Sequence, residues 1–263
     1  MIKDITIGQY YPVDSCIHRL DPRTKFLGTI MFIVSLFLFR SFWGFLLCGG
    51  FLVFVTALAK IPAGYLIKGM RPMLFLLLFM MIFSLLLTPG EVIGQWWIFK
   101  VTKEGIYTAL FMGLRLTTLI FGSSLMTYTT TPNKLTNGME SVFGFLKIFK
   151  VPVHEVAMMI SIALRFIPIL LEETNKIMKA QQARGADFES GGVIKRAKAF
   201  IPLLIPLFVS AFRRAGELAE AMEARCYHGG EGRTRMKPLK FGLNDLIAFL
   251  LLIGLIVGCV FIP

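Results

Sequence analysis

The chain has 263 residues, 56% of them hydrophobic and only 17% charged, with a mean hydropathy of +0.70. Soluble domains carry about 25% charged residues, so a soluble enzyme, a disordered chain and a nucleic-acid-binding domain are poor readings, and an integral membrane protein is expected. The excess of 28 Lys and Arg over 16 Asp and Glu, net +12, then bears on which side of a bilayer each segment lies.

The first 25 residues include Lys3, Asp4, Asp14, His18, Arg19, Asp21, Arg23 and Lys25. That is not the short basic stretch plus apolar core of a cleavable signal, so this segment is expected to be retained. Asp21-Pro22 sets a capping carboxylate before a first-turn proline, the start of a helix. The chain is then apolar from Phe26 to Ala59. A single helix of that length would reach about 51 Å against roughly 30 Å of hydrocarbon, so a hairpin of two spans is predicted, turning near Arg40-Ser41. A third span is expected over Pro72 to Thr88 and a fourth over Glu104 to Thr130. Between them lie Pro89-Gly90-Glu91 and an interfacial Trp96-Trp97 pair.

The segment from Thr131 to Gly242 reads as three helical pieces. Thr131-Pro132 opens the first, whose Leu135, Met139, Val142, Leu146 and Phe149 form one apolar stripe beside Lys134, Lys147 and Lys150, suiting a helix at the membrane surface. The second runs from Val153 to Arg184 and is stopped by Gly185. After Ser190-Gly191-Gly192 the third runs from Val193 to His228 and ends at Gly229-Gly230. Pro168, Pro202 and Pro206 should kink these long pieces. A last span covers Leu243 to Ile262.

Charge decides the side. If the second and third pieces crossed the membrane, Lys176, Lys179, Arg184, Lys195, Arg196 and Lys198 would lie outside, against the positive-inside bias. With both pieces cytoplasmic, four basic residues before Phe26, three from Lys60 to Arg71 and seventeen from Lys134 to Lys240 share the inner side. Arg40, Lys100 and Lys103 remain outside. The expected protein is thus an all-α integral membrane protein with about five transmembrane helices plus three cytoplasmic helices. Residues 1–130 hold the N-terminal segment and four spans, 131–242 the cytoplasmic helices and 243–263 the final span, with the N-terminus cytoplasmic.

Catalytic motifs are missing. There is no phosphate-binding Gly-x-x-x-x-Gly-Lys-Ser/Thr loop, no second histidine to pair with His154-Glu155, and no Gly-x-Ser-x-Gly turn. Cys16, Cys48, Cys226 and Cys259 include no Cys-x-x-Cys pair and are expected to be buried and free. Arg115 inside the fourth span invites a functional reading, against which stands simple pairing within the bundle. Gly254 and Gly258 suit close helix packing more than dimerisation.

The cytoplasmic helices carry the sharper feature. Ala183-Arg184-Gly185 ends the second piece, and Ala224-Arg225-Cys226 ends the third, so an Ala-Arg-small triplet recurs at the same structural place. Ala211, Ala215, Leu218 and Met222 lead by helical steps to Arg225, and Leu170 and Ile177 precede Arg184. Each arginine therefore tips an apolar face. One such arginine is explained by the helix dipole with a glycine cap beyond it. Two favour insertion of a guanidinium fork into two similar pockets on partner proteins.

These residues resemble a known family, the transmembrane coupling subunits (T components, EcfT) of energy-coupling factor transporters. The resemblance covers Gly8-Gln9-Tyr10-Tyr11-Pro12, the run Ser15 to Lys25, Ala163-Leu164-Arg165-Phe166-Ile167-Pro168, both triplets and Gly229-Gly230-Glu231-Gly232-Arg233-Thr234. It implies a prokaryotic importer in which two ABC ATPases, identical or related, hold ATP and Mg, while a small membrane S component binds a vitamin or metal ion. This chain would bind no cofactor and no nucleic acid, would not be catalytic alone, and would meet lipid. By the same resemblance Arg184 and Arg225 would dock in the ATPases, with Ala183, Gly185, Ala224 and Cys226 permitting close approach. Cys226 departs from the commoner glycine and leaves the cap geometry there open. The rival reading is a carrier or channel working without ATPases, which would need polar residues through its spans.

Overall fold

A computed structural model describes residues 10–96, 99–188, 192, 194, 198–230, 236 and 238–262. Gly8-Gln9, Trp97, Ser190-Gly191, Val193, Lys195-Arg196 and Glu231-Gly232-Arg233-Thr234 of the sequence reading lie outside the described residues. The chain divides into two compact units, one comprising Thr6–Val142 with Pro238–Pro263 and the other centred on Phe143–Lys237.

In the first unit a short helix α1 (Cys16–Arg19) leads to α2 (Pro22–Leu38), where Asp21 Oδ1 accepts from the Arg23 N–H at 2.9 Å and Pro22 takes the first turn. The chain turns at residues 39–41 into α3 (Phe42–Ala59), as the hairpin argument requires. Helix α4 (Ala63–Leu87) begins earlier than the expected Pro72, which is absorbed within it. A two-stranded antiparallel hairpin, β1 (Val92–Trp96) and β2 (Phe99–Thr102), follows between the third and fourth expected spans, an element not predicted from the sequence. Helix α5 (Lys103–Thr129) is capped by Thr102, whose hydroxyl accepts from the Gly105 N–H at 3.0 Å. Helix α6 (Pro132–Val142) packs on α2.

Lipid is as apolar as leucine, so these helices associate through close packing. Gly28 meets Leu252, Gly44 the ring of Phe39 and Gly122 the ring of Phe32, each with no room for a Cβ. Phe39 and Phe45 meet edge to face at 4.9 Å, and Phe45 and Phe111 at 4.9 Å. Cys48 and Cys259 lie in the same buried cluster, their sulfurs 3.6 Å apart. Cys16 and Cys226 are exposed, which corrects the expectation that all four are buried.

A buried polar knot ties the helix ends of this unit together. Lys25 Nζ donates to the carbonyls of His18 (3.2 Å) and Thr129 (2.9 Å). His18 Nε2 donates to the Tyr11 carbonyl at 3.0 Å, so its Nδ1 accepts from the Ser15 hydroxyl at 2.7 Å. Burial holds the His18 pKa below its ordinary 6.5. Asp245, near the start of the last helix, accepts from the Asp21 N–H at 2.9 Å and the Gly242 N–H at 2.8 Å.

The second unit starts with a 3-10 segment at Phe143–Phe149, where the sequence stripe predicts α-helix up to Phe149. Phe149 is 72% exposed, so the stripe does not continue as one buried face. Two long helices follow, α7 (Val153–Ala183) and α8 (Ile201–Glu223). They pair antiparallel: Gln181 Nε2 donates to the Pro202 carbonyl at 3.5 Å, Glu173 meets Ser210 and Arg214, and Gly230 abuts the His154 ring.

The final helix α9 (Leu243–Phe261) belongs to the first unit. Among the described residues α3, α4, α5, α7 and α9 are long and apolar enough to cross a membrane by length and composition. Helix α2, expected as a span, has 17 residues and rises about 26 Å. The expected assignment and this one thus differ at α2 and α7.

Candidate functional site

The two triplets end their helices in the same way. At the end of α7, the Gly185 N–H bonds the Gln182 carbonyl at 2.9 Å and the Ala186 N–H bonds the Gln181 carbonyl at 3.0 Å. At the end of α8, the Cys226 N–H bonds the Glu223 carbonyl at 2.8 Å and the Tyr227 N–H bonds the Met222 carbonyl at 3.1 Å. These nested bonds are the Schellman closure, which requires a left-handed residue just past the cap. Gly185 supplies it at φ +90° and Cys226 at φ +54°. The terminator of the third helical piece is therefore Cys226 and not the expected Gly229-Gly230, and the open question of its cap geometry is answered by Cys226 adopting the glycine conformation.

That shared closure puts the two arginines at the same position of the helix cap. Arg184 and Arg225 each sit between an alanine and the left-handed residue, and all six triplet residues are exposed. Because α7 and α8 run antiparallel, the two tips lie at opposite ends of the pair. A cleft of about 570 Å³ opens between the first half of α7 and the end of α8. Arg225 and Cys226 line it with Leu218 and Met222 of the predicted stripe, and Arg165 of the mid-chain signature faces it from α7. Ala215 of the stripe is exposed instead.

Arg115 and Gly258 have partners within the first unit. Arg115 Nη2 donates to the Phe39 carbonyl at 3.1 Å, at the end of α2, and its guanidinium lies over Phe111 and Phe37 at 4.7 and 5.3 Å. Gly258 packs on Leu47 of α3, whereas Gly254 has nothing nearby. Among the described residues, no group of three or more His, Cys, Asp or Glu side chains could hold a metal ion.

Residues 14–236 match the family model CbiQ, described as cobalt transport protein. The chain is 53% identical over 262 residues to the energy-coupling factor transporter transmembrane protein EcfT of Acidaminococcus fermentans, covering 100% of this chain and 98% of the relative. It belongs to the EcfT family. Similarity extends to the EcfT proteins of Ruminiclostridium cellulolyticum, 53% identical over 247 residues (94% of this chain, 92% of the relative), and of Bacillus subtilis, 48% identical over 256 residues (97% of each). As an EcfT-family member with several helices able to cross a bilayer, the chain is a multi-pass membrane component of an energy-coupling factor transporter.

Sequence reasoning missed two features of this EcfT-family chain. Asp245 anchors the last helix to the start of α2, yet its only local signal is a lone carboxylate at the head of an apolar run. The α7–α8 contact through Glu173, Ser210 and Arg214 joins residues about forty positions apart, beyond any helical periodicity.

Proposed function

We propose that this chain couples two ABC ATPases to a substrate-binding S component, with Arg184 and Arg225 as the docking points. The observation that carries this reading is the equivalence of the two tips: same triplet, same left-handed closure, and exposure of all six residues. Two like tips at opposite ends of one helix pair fit two like sockets on a pair of related subunits. Each planar guanidinium brings five donors to carboxylates or backbone carbonyls of its socket, while the flanking Ala183, Gly185, Ala224 and Cys226 keep the approach narrow. ATP and Mg belong to the ATPases, and this chain does no chemistry itself.

On this reading α7 and α8 lie on the cytoplasmic side, as does the N-terminus, in a prokaryotic cell membrane. Although α7 is apolar enough to span, a crossing there would leave the basic residues at its end, Lys176, Lys179 and Arg184, outside, against the positive-inside bias. Helix α8 leaves Ile201, Leu204, Ile205, Phe208, Val209 and Phe212 exposed, an apolar face suited to the S component and to lipid. ATP-driven closure of the ATPases moves the two tips, and α7 and α8 carry that motion to this face. The substrate, a vitamin or other micronutrient, is selected by the S component.

The test is to tag the chain, purify it from its own membranes in mild detergent and determine the accompanying polypeptides and their stoichiometry by mass spectrometry. Two ATPase copies with one small membrane protein are expected. Recovery of the chain alone under several detergents would refute the coupling reading in favour of a self-sufficient carrier.

A further inference from the structure

We propose that the Glu173–Arg214 pair is the fulcrum of α7 and α8, the fixed point about which the two arginine tips swing. The proposal rests on the coupling role given above and adds a positioning site to it. Its basis is a register that the triplets share with the ion pair. Arg184 and Arg225 are 41 positions apart, and so are Glu173 and Arg214. Each tip therefore lies 11 residues beyond the pair on its own helix, about 16 Å of α-helix. One helix contributes the carboxylate and the other the guanidinium, at equivalent places, giving two arms of equal length.

The contact has the character of a pin. Both carboxylate oxygens are engaged, Oε1 by the Ser210 hydroxyl at 2.9 Å and Oε2 by Arg214 Nη2. The Arg214 and Glu173 side chains are only 32% and 22% exposed, whereas the neighbouring Arg213–Glu217 pair is 69% and 67% exposed at 4.0 Å and lies within α8 alone. A charge-assisted contact partly shielded from solvent holds one geometry better than a fully solvated pair does. The 570 Å³ cleft lies on the Arg225 side, and Pro168 and Pro206 interrupt the two helices close to the pinned residues. A proline removes one backbone hydrogen bond and lets a helix bend; each proline lies on the side of the pin away from its own helix's tip, so the 11-residue arms that carry Arg184 and Arg225 are uninterrupted levers.

The experiment uses the full complex with its copurified partners, carrying Cys16→Ser and Cys226→Gly to remove exposed thiols. Spin labels are placed at Lys179→Cys and Glu220→Cys, two exposed positions that are again 41 apart. Inter-label distances are measured with and without MgATP, alongside MgATP hydrolysis. With the pair intact, one narrow distribution shifting on MgATP is expected. Glu173→Gln and Arg214→Gln should each broaden the distribution and abolish the shift while the ATPases remain bound and hydrolysis continues. The exchange Glu173→Arg with Arg214→Glu should restore both narrowness and shift, which a general packing defect would not allow. If both Gln variants keep the narrow, shifting distribution, or if the exchange behaves like the single variants, the pair is not the fulcrum. Absence of copurifying ATPases from the parent complex would instead refute the coupling role on which the proposal stands.

Discussion

Gly185 and Cys226 hold equivalent left-handed positions, each one residue past the arginine of its triplet, although only one of them is a glycine. For a residue with a Cβ that conformation costs on the order of 1 kcal/mol. Cys226→Gly is therefore expected to stabilise the end of α8 by about 1 kcal/mol and to leave coupling intact. Gly185→Ala should destabilise the end of α7 by a similar amount. Because nothing lies within 4 Å of a Cβ built on Gly185, Gly185→Ser should cost the same as Gly185→Ala. Thermal unfolding of the purified protein in detergent reads these differences, and a Cys226→Gly variant less stable than the parent would contradict the cap assignment.

Asp245 joins the start of α9 to the start of α2 through two backbone N–H groups. Hydrogen bonds to a buried charge contribute about 1.5–3 kcal/mol, so Asp245→Ala should loosen both helix starts and lower stability by about that amount. Asp245→Asn keeps an acceptor oxygen and should lose less. Limited proteolysis near residue 242 reports the change, and equal cleavage of parent and Asp245→Ala would count against the anchor.

Four of the spans (α3, α4, α5 and α9), the hairpin turn at residues 39–41 and both arginine triplets are legible in the sequence because each has a local cause: long apolar runs, a break in hydropathy, a repeated capping pattern. Other features are set by contacts the local pattern does not encode. Helix α6 ends at Val142 and the chain tightens into a 3-10 segment, although Leu146 and Phe149 keep helical spacing with it. The hairpin of β1 and β2 is too short to leave a periodic signal. Helix α7 is both apolar enough to cross a bilayer and rich in basic residues towards its end, so hydropathy and charge disagree on its place. The partners of Asp245 and of Glu173 lie far away in sequence, and only folding brings them together.

His18 supplies a pH dependence. Its folded-state pKa is held below 6.5, first by burial, so the folded chain keeps the imidazole neutral between Tyr11 and Ser15. Above pH 6.5 the side chain is neutral both folded and unfolded, and its contribution is complete. As pH falls below 6.5 the unfolded state takes up the proton first, and stability declines towards the folded-state value. Docking of the N-terminal segment should thus weaken as the pH falls from neutral through 6.5, and His18→Gln should flatten that slope. An identical slope in the variant, measured by thermal unfolding across this range, would rule out His18 as its source.

Arg115 closes the end of α2 on the Phe39 carbonyl and stacks between two aromatic rings. Arg115→Met keeps most of the apolar contact but loses the hydrogen bond and both cation–π contacts. A loss of about 1–3 kcal/mol is expected, with membrane insertion preserved and MgATP hydrolysis by the complex unchanged. Loss of transport without loss of stability would show that the residue acts in the transport cycle itself.

The central claim is that the two arginine tips carry the coupling. Its most direct test is ATP-driven uptake of the S component's substrate by vesicles containing the complex with Arg184→Glu, Arg225→Glu and both together. Each single reversal should abolish uptake while membrane insertion of the chain stays near the parent level, because both residues are exposed and make no contribution to the helix core. Uptake that persists in the double reversal would contradict the account.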